Sequence, residues 1–164
     1  MIDIRLFASQ DFPDVQAIYQ QGIDGGNATF ETKVKTEQQW LDSTLAVGRL
    51  VAVDENRVVG WASLSSVSAR KVYAGIAEVT IYVADNMQGQ GIGKKLLIDL
   101  IEISESQGFW TLQSAIFPEN QASILLHQRL GFRVIGKREN VAQLKGVWRD
   151  SILLERRSKV VGVS

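Results

Sequence analysis

The residues best suited to chemistry in this 164-residue chain lie between Gln88 and Lys94, where Gly89, Gly91 and Gly93 stand at alternate positions. The segment joins an apolar run to an amphipathic one, so a tight turn from strand into helix is expected. Glycines there let the backbone bend sharply and approach a ligand closely. The turn's amide N–H groups, with the positive end of the helix behind them, make a site for phosphate or pyrophosphate. Two familiar phosphate loops are excluded by the residues themselves. A P-loop needs glycine where Gln88 stands and Ser or Thr where Lys95 stands. A dinucleotide fingerprint starting at Gly89 needs glycine or alanine at Lys94. A second group, Asn120, Ser123 and His127, is spaced three and four apart and so shares one helix face. His127, near Ile124 and Leu130, reads most simply as a hydrogen-bonded core residue, and Asn120 as an N-cap.

Composition narrows the field. There is no cysteine, which removes a disulfide framework, a thiolate metal site and a cysteine nucleophile. A single histidine argues against a histidine-rich metal site, so no metal is assigned. Eighteen Lys and Arg balance eighteen Asp and Glu, which gives no field for nucleic acid or a membrane surface. Neither a signal-peptide core nor the roughly 18 apolar residues of a membrane span occurs, so the expected compartment is the cytoplasm.

The elements that must position these groups follow from pattern. Residues 2–6 alternate as a half-buried strand. Asp11 is expected to cap a helix with Pro13 in its first turn, and residues 22–35 to form a loop. Thr36 and Gln39 form a capping-box pair for a second helix through Trp40 and Leu41. Strands are expected at 50–53, 58–64 and 76–83, then the glycine turn and a helix carrying Leu96, Leu97, Leu100 and Ile101. A strand at 111–116, a short helix ending at Gly131 and two strands at 132–137 and 151–154 complete the order βααβββαβαββ. Arg156 to Lys159 are expected as a solvated tail. The reading is one α/β (α+β) domain over residues 1–164.

The pattern Gln88-x-x-Gly91-x-Gly93, preceded by Ile81-Tyr82-Val83, resembles the pyrophosphate-binding motif of the GNAT superfamily of N-acetyltransferases. The resemblance covers nearly the whole chain. It implies a mixed, mostly antiparallel twisted sheet of about seven strands flanked by about four helices, with acetyl-coenzyme A as cosubstrate. It implies that Ile81, Tyr82 and Val83 offer backbone donors to the pantetheine arm and thioester, as an oxyanion hole does. Gln88, Gly89, Gln90, Gly91, Ile92, Gly93 and Lys94 would then hold the pyrophosphate, and Asn120 and Ser123 would contact the cofactor further along. Related enzymes often carry tyrosine at the position of His127, placed to protonate the leaving thiolate, a role an imidazole can also fill.

Further groups resemble the phosphinothricin or methionine sulfoximine acetyltransferase branch. They are Ala28-Thr29-Phe30-Glu31, Arg70-x-x-Tyr73, Glu78, Leu126-His127, and the run from Lys145 through Trp148 and Arg149 to Asp150. The branch implies transfer to the α-amine of a glutamate-like amino acid, with Glu78 as general base and no covalent enzyme intermediate. Arg70, Tyr73 and Lys145 would meet the anionic acceptor, while Phe30 and Trp148 would wall its pocket. Glu31 either attracts the ammonium or anchors its loop. Phosphinothricin, methionine sulfoximine and methionine sulfone all remain open as acceptors. The alternatives are the same chemistry on a polyamine, an aminoglycoside or a protein N-terminus, or a coenzyme A-binding module without catalysis. The resemblance also implies a homodimer.

Overall fold

The computed structural model describes residues 1–163. Its elements are β1 (Ile2–Leu6), α1 (Phe12–Gly25), α2 (Glu37–Ser43), β2 (Leu50–Asp54), β3 (Arg57–Ser66), β4 (Ile76–Val83), α3 (Ile92–Ser106), β5 (Thr111–Ile116), α4 (Gln121–Arg129), β6 (Arg133–Leu144) and β7 (Val147–Arg157). The seven strands form one sheet in the order β1-β2-β3-β4-β5-β7-β6. Only the β4–β5 pair is parallel, so the sheet is mixed and mostly antiparallel, as expected. No helix among the described residues is long and apolar enough to cross a membrane.

Strand periodicity sends alternate side chains to opposite faces. Leu50, Ala52, Ala62, Leu64, Ala77 and Val79 pack beneath Leu96, Leu97 and Leu100 of α3. Val51, Trp61 and Tyr82 point the other way, onto Val15, Ile18 and Tyr19 of α1. The sheet thus has a core on each face.

The capping box at α2 is present, with Gln39 N–H donating to Thr36 Oγ1 at 3.2 Å and Thr36 N–H to Gln39 Oε1 at 3.0 Å. Four expectations need correction. Asp11 makes no side-chain cap; its buried carboxylate instead accepts both Arg5 guanidinium nitrogens, at 2.7 and 2.8 Å, and the Ala8 N–H. The loop starts at Gly26 (φ 79°), not at Gly22, because α1 runs on to Gly25. Gly22 lies inside that helix for a packing reason, since a Cβ there would run into the Tyr82 ring.

The last two strands are far longer than expected and meet at a tight turn, Lys145 (φ 50°) and Gly146 (φ 80°). Lys145 therefore marks a hairpin tip, and Trp148 and Arg149 lie on β7, ahead of the expected strand start at 151. The β6 side chains are mostly exposed, so burial leaves no pattern there, and pairing to β7 holds the strand instead. Finally, the expected solvated tail is tied down. Arg156 Nε donates to Leu130 O at 3.0 Å, Arg157 bonds the Val161 and Gly162 carbonyls, and Ser158 is buried.

Candidate active site

The site opens where the two parallel strands part. β4 and β5 pair only through Ile76–Thr111, Ala77–Leu112 and Glu78–Gln113. Beyond that point β4 runs on to Val83 and β5 to Ile116 with no strand between them. Backbone groups on the facing edges thus lack ladder partners, and an unpaired strand edge is a ready hydrogen-bonding template. A cavity of about 370 Å³ occupies this region, lined by Glu78 to Tyr82 on one side and Ser114 to Phe117 on the other. The loop residues Asn27 to Glu31 and the α4 residues Asn120, Ser123 and His127 close it.

Glu78 sits at the fork, and Gln113 Nε2 donates to its Oε1 at 3.0 Å. Cross-strand pairing sets Ser65 beside Glu78, Ser63 beside Thr80 and Trp61 beside Tyr82, all on one sheet face. The Tyr82 phenol is pushed well above its ordinary range, first by burial. It is the ring of Tyr82, stacked on Trp61 at 5.0 Å, that forms this end of the wall.

His127 is 3% exposed. Its Nδ1 lies 2.7 Å from the Ser123 carbonyl oxygen. A carbonyl only accepts, so Nδ1 carries the proton. Nε2 is buried without a protein partner. Burial lowers the pKa, with the Ser123 contact opposing, so the neutral ring presents a lone pair at Nε2. To protonate a thiolate it must first take up a proton there. Phe132 holds the ring edge to face at 5.0 Å. Asn120 performs the capping role, its Oδ1 accepting from Ser123 N–H at 3.3 Å, and also lines the cavity.

The glycine turn follows β4 directly. Gly89 (φ 76°) and Gly91 (φ 78°) take left-handed backbone, with no atom within 4 Å of where a Cβ would stand. Gly91 caps α3 without a side-chain bond, and the first helical bond is Lys95 N–H to Gly91 O at 3.1 Å. The amides of Ile92, Gly93 and Lys94 precede that bond and are left for an external acceptor. An open, uncrowded helix N-terminus at the end of the split strand fits a pyrophosphate whose arm runs along β4. Gln88 secures the geometry, its Nε2 donating to Val83 O at 2.9 Å. Gln90 is exposed, its amide nitrogen 4.0 Å from Met87 Sδ. Gly93 admits α4, since a Cβ would stand 3.2 Å from Leu126.

Phe30 lines the cavity and meets Phe117 edge to face at 4.7 Å. Glu31 lines it too, 4.0 Å from Lys35 Nζ. The other expected acceptor contacts are not gathered there. Arg70 lies over the Tyr73 ring at 5.3 Å, in an exposed connection between β3 and β4. Trp148 is 57% exposed on β7. Lys145 borders a second cavity of about 490 Å³ that shares Asn27 and Glu31 with the first. Arg149 is a clamp rather than a free cation. It donates to Gly26 O and Asn27 Oδ1, pairs with Glu119 at 3.3 Å and covers the Phe117 ring at 4.3 Å.

Gln113, Lys35, Ser63 and Ser65 belong to the cavity or its fork and escape the sequence reading. A signal existed for the serines. Small polar residues at alternate positions of an otherwise apolar strand mark a face turned to something other than core.

Residues 13–132 match the family described as the acetyltransferase (GNAT) family. The L-methionine sulfoximine/L-methionine sulfone acetyltransferase of Pseudomonas aeruginosa is 36% identical over 158 residues, 93% of this chain and 92% of that protein. The phosphinothricin N-acetyltransferase of Streptomyces viridochromogenes is 30% identical, over 91% of this chain and 84% of its own length. Among solved structures, a GNAT superfamily phosphinothricin acetyltransferase from Sinorhizobium meliloti in complex with AcCoA superposes with a TM-score of 0.90 at 27% identity. That match covers 99% of this chain and 91% of the other. The chain belongs to the acetyltransferase (GNAT) family.

Proposed function

We propose that the protein transfers acetyl from acetyl-coenzyme A to the α-amine of a small glutamate-like amino acid, such as methionine sulfone, methionine sulfoximine or phosphinothricin. The observation that carries the reading is the fork of β4 and β5. It joins a carboxylate at Glu78, an unpaired strand edge and, beyond it, the glycine turn at the start of α3. The relatives named for these acceptors match over nearly the whole chain, which supports the acceptor class.

Acetyl-coenzyme A, when bound, supplies the activated acyl carbon. In this reading the amides of Gly91 to Lys94 hold its pyrophosphate, with Gln88, Gly89 and Gln90 shaping the turn. Asn120 and Ser123 border the pantetheine arm. Along Ile81, Tyr82 and Val83 the alternate amides that face away from β3 offer donors toward the thioester oxygen, where negative charge grows during attack. Glu78, held by Gln113, takes the proton of the acceptor ammonium, directly or through water. His127 serves the sulfur after taking up a proton at Nε2. Phe30 walls the acceptor. Arg70 and Lys145 supply charge that steers an anionic acceptor toward the site, with Tyr73 against Arg70 and Trp148 on the same hairpin as Lys145. The exposed apolar residues of β6 and β7, among them Val134, Ile135, Val141 and Val147, support a homodimer through this hairpin face. The cytoplasm, where acetyl-coenzyme A is made available, is the proposed compartment.

The test is thiol release from acetyl-coenzyme A with methionine sulfone, methionine sulfoximine, phosphinothricin, glutamate, spermidine and a short peptide as acceptors. Release confined to the first three is expected. Preferential release with spermidine or the peptide keeps the transfer and discards the acceptor.

A further inference from the structure

Arg149 does not line the main cavity, yet it joins two of that cavity's walls. It stands on β7 opposite Ala142, with its side chain 17% exposed. Nη1 donates to Gly26 O at 3.0 Å and Nη2 to Asn27 Oδ1 at 2.6 Å. Nη2 also reaches Glu119 Oε1 at 3.3 Å, and the guanidinium covers the Phe117 ring at 4.3 Å. Gly26 and Asn27 open the loop after α1, whose residues Asn27 to Glu31 line one side of the cavity. Phe117 lines the other side, and Glu119 lies in the connection from β5 to α4.

Little else holds the start of this loop. Among the described residues, 27–35 make no backbone–backbone hydrogen bond. Thr29 Oγ1 accepts the Glu31 N–H, a bond internal to the loop, and Gln16 Nε2 donates to Lys35 O at the far end. A segment without ladder partners takes its place from side-chain bonds such as these. Between the two ends stands Phe30, edge to face with Phe117 at 4.7 Å. Arg149 restrains both rings, Phe30 through the first residues of the loop and Phe117 by lying on its face. A planar fork can bond two loop acceptors and stack on a ring at once, which an ammonium cannot.

The same guanidinium separates two spaces. Asn27 and Glu31 line both the cavity of about 370 Å³ and the second one of about 490 Å³. Phe117 borders only the first of these and Arg149 only the second. Arg149, lying on Phe117, is therefore part of the partition. Without it the two phenyl rings can spread, and the first cavity opens into the second.

We propose that Arg149 is a positioning residue that latches the loop after α1 to the β5–α4 connection, holds Phe30 against Phe117, and so sets the length of acceptor the cavity takes. This rests on the acetyl-transfer reading and adds the residue that shapes the acceptor side of the site.

The first experiment follows thiol release in Arg149→Leu, which keeps an apolar stem on β7 and removes the fork. The acceptors are methionine sulfone and its S-hexyl homologue. KM for methionine sulfone should rise about tenfold or more, with kcat within about threefold and the KM for acetyl-coenzyme A within about twofold. The kcat/KM ratio of the hexyl homologue to methionine sulfone should rise about tenfold or more, because the partition is gone. Arg149→Lys should behave like Arg149→Leu, since a point charge cannot bridge the same partners. Unchanged kinetics, equal losses on both acceptors, a KM for acetyl-coenzyme A that rises in step, or wild-type behaviour in Arg149→Lys overturns the proposal.

The second readout needs no turnover. The protein is labelled with 4-fluorophenylalanine, and the fluorine resonances of the two wall residues are assigned through Phe30→Leu and Phe117→Leu. Phe117 touches the guanidinium and will respond to any change there, so Phe30 is the informative probe. In Arg149→Leu the Phe30 resonance should move toward that of the free amino acid, while those of the core residues Phe12 and Phe132 stay in place. That movement in a protein whose wild type acetylates none of the acceptors would keep the latch and sink the acceptor reading. A Phe30 resonance that stays in place sinks the latch, whatever the turnover.

Discussion

Gln113 Nε2 donates to the Glu78 carboxylate at 3.0 Å across the last residue pair that β4 and β5 share. The strands part immediately beyond this pair, so the bond holds the carboxylate at the mouth of the fork, where it lines the cavity. The neighbouring rungs, Ser65 and then Ser63 with Thr80, keep that face polar and small. A bulky apolar side chain at any of them would fill the space the fork creates.

Glu78→Gln should lower kcat by about 10²-fold or more, the range for a lost general base. Acetyl-coenzyme A affinity, read by calorimetry, should stay within threefold. Turnover close to wild type at neutral pH would remove Glu78 from the base role.

Gln113→Leu keeps the strand but removes the donor. The expected loss is about 10- to 100-fold in kcat, in line with a hydrogen bond to a charged group worth about 1.5–3 kcal/mol. Gln113→Asn should not restore it, because the shorter amide falls short of Glu78. A melting temperature within a few degrees of wild type would separate lost aim from lost fold.

Gly91→Ala tests the turn. The open surroundings leave space for a methyl, but φ 78° does not suit an L-residue. Stability should fall by about 1–2 kcal/mol. The KM for acetyl-coenzyme A should rise at least tenfold, because any rotation of the turn redirects the amides at the start of α3. A purely structural turn would show the stability loss and an unchanged KM.

His127 makes stability depend on pH. Burial holds its folded pKa below the ordinary 6.5, so the unfolded chain takes up the proton first as pH falls. The contribution is whole above about pH 6.5 and declines below it until the folded pKa is passed, by no more than about 1.4 kcal/mol per pH unit. Chemical denaturation from pH 8 to pH 5 should show a fall that His127→Phe reduces. Parallel profiles for the two proteins would mean that the imidazole is not held neutral.

Asp11→Ala should cost about 1–3 kcal/mol, since Arg5 and the Ala8 N–H both lose a charged partner. Arg5 holds the Asp11 carboxyl below its usual range, so this contribution is present above about pH 4 and fades as pH drops through the folded value. Urea midpoints at pH 7 and pH 3 should differ less in the variant than in wild type. Catalysis is expected to survive, because Asp11 lies outside the cavity.

Local rules settled much of this protein in the sequence itself. The element order, the capping box at Thr36 and Gln39, the Asn120 cap and the glycine turn each depend on residues a few positions apart, and the structure contains all of them. What depends on distant pairing was decided only by the tertiary structure. Asp11 is drawn to Arg5 rather than to its own helix, and Gly22 stays helical because the Tyr82 ring occupies its missing side chain. The last hairpin owes its length to β6–β7 hydrogen bonds, which leave no trace in the burial pattern of β6. The site divides the same way. Glu78 and His127 stand out by residue type, but Gln113, Lys35 and Ser63 acquire meaning only once strands and helices remote in sequence enclose one cavity and its fork. Side-chain chemistry is written residue by residue. The partner each side chain meets is set by the fold.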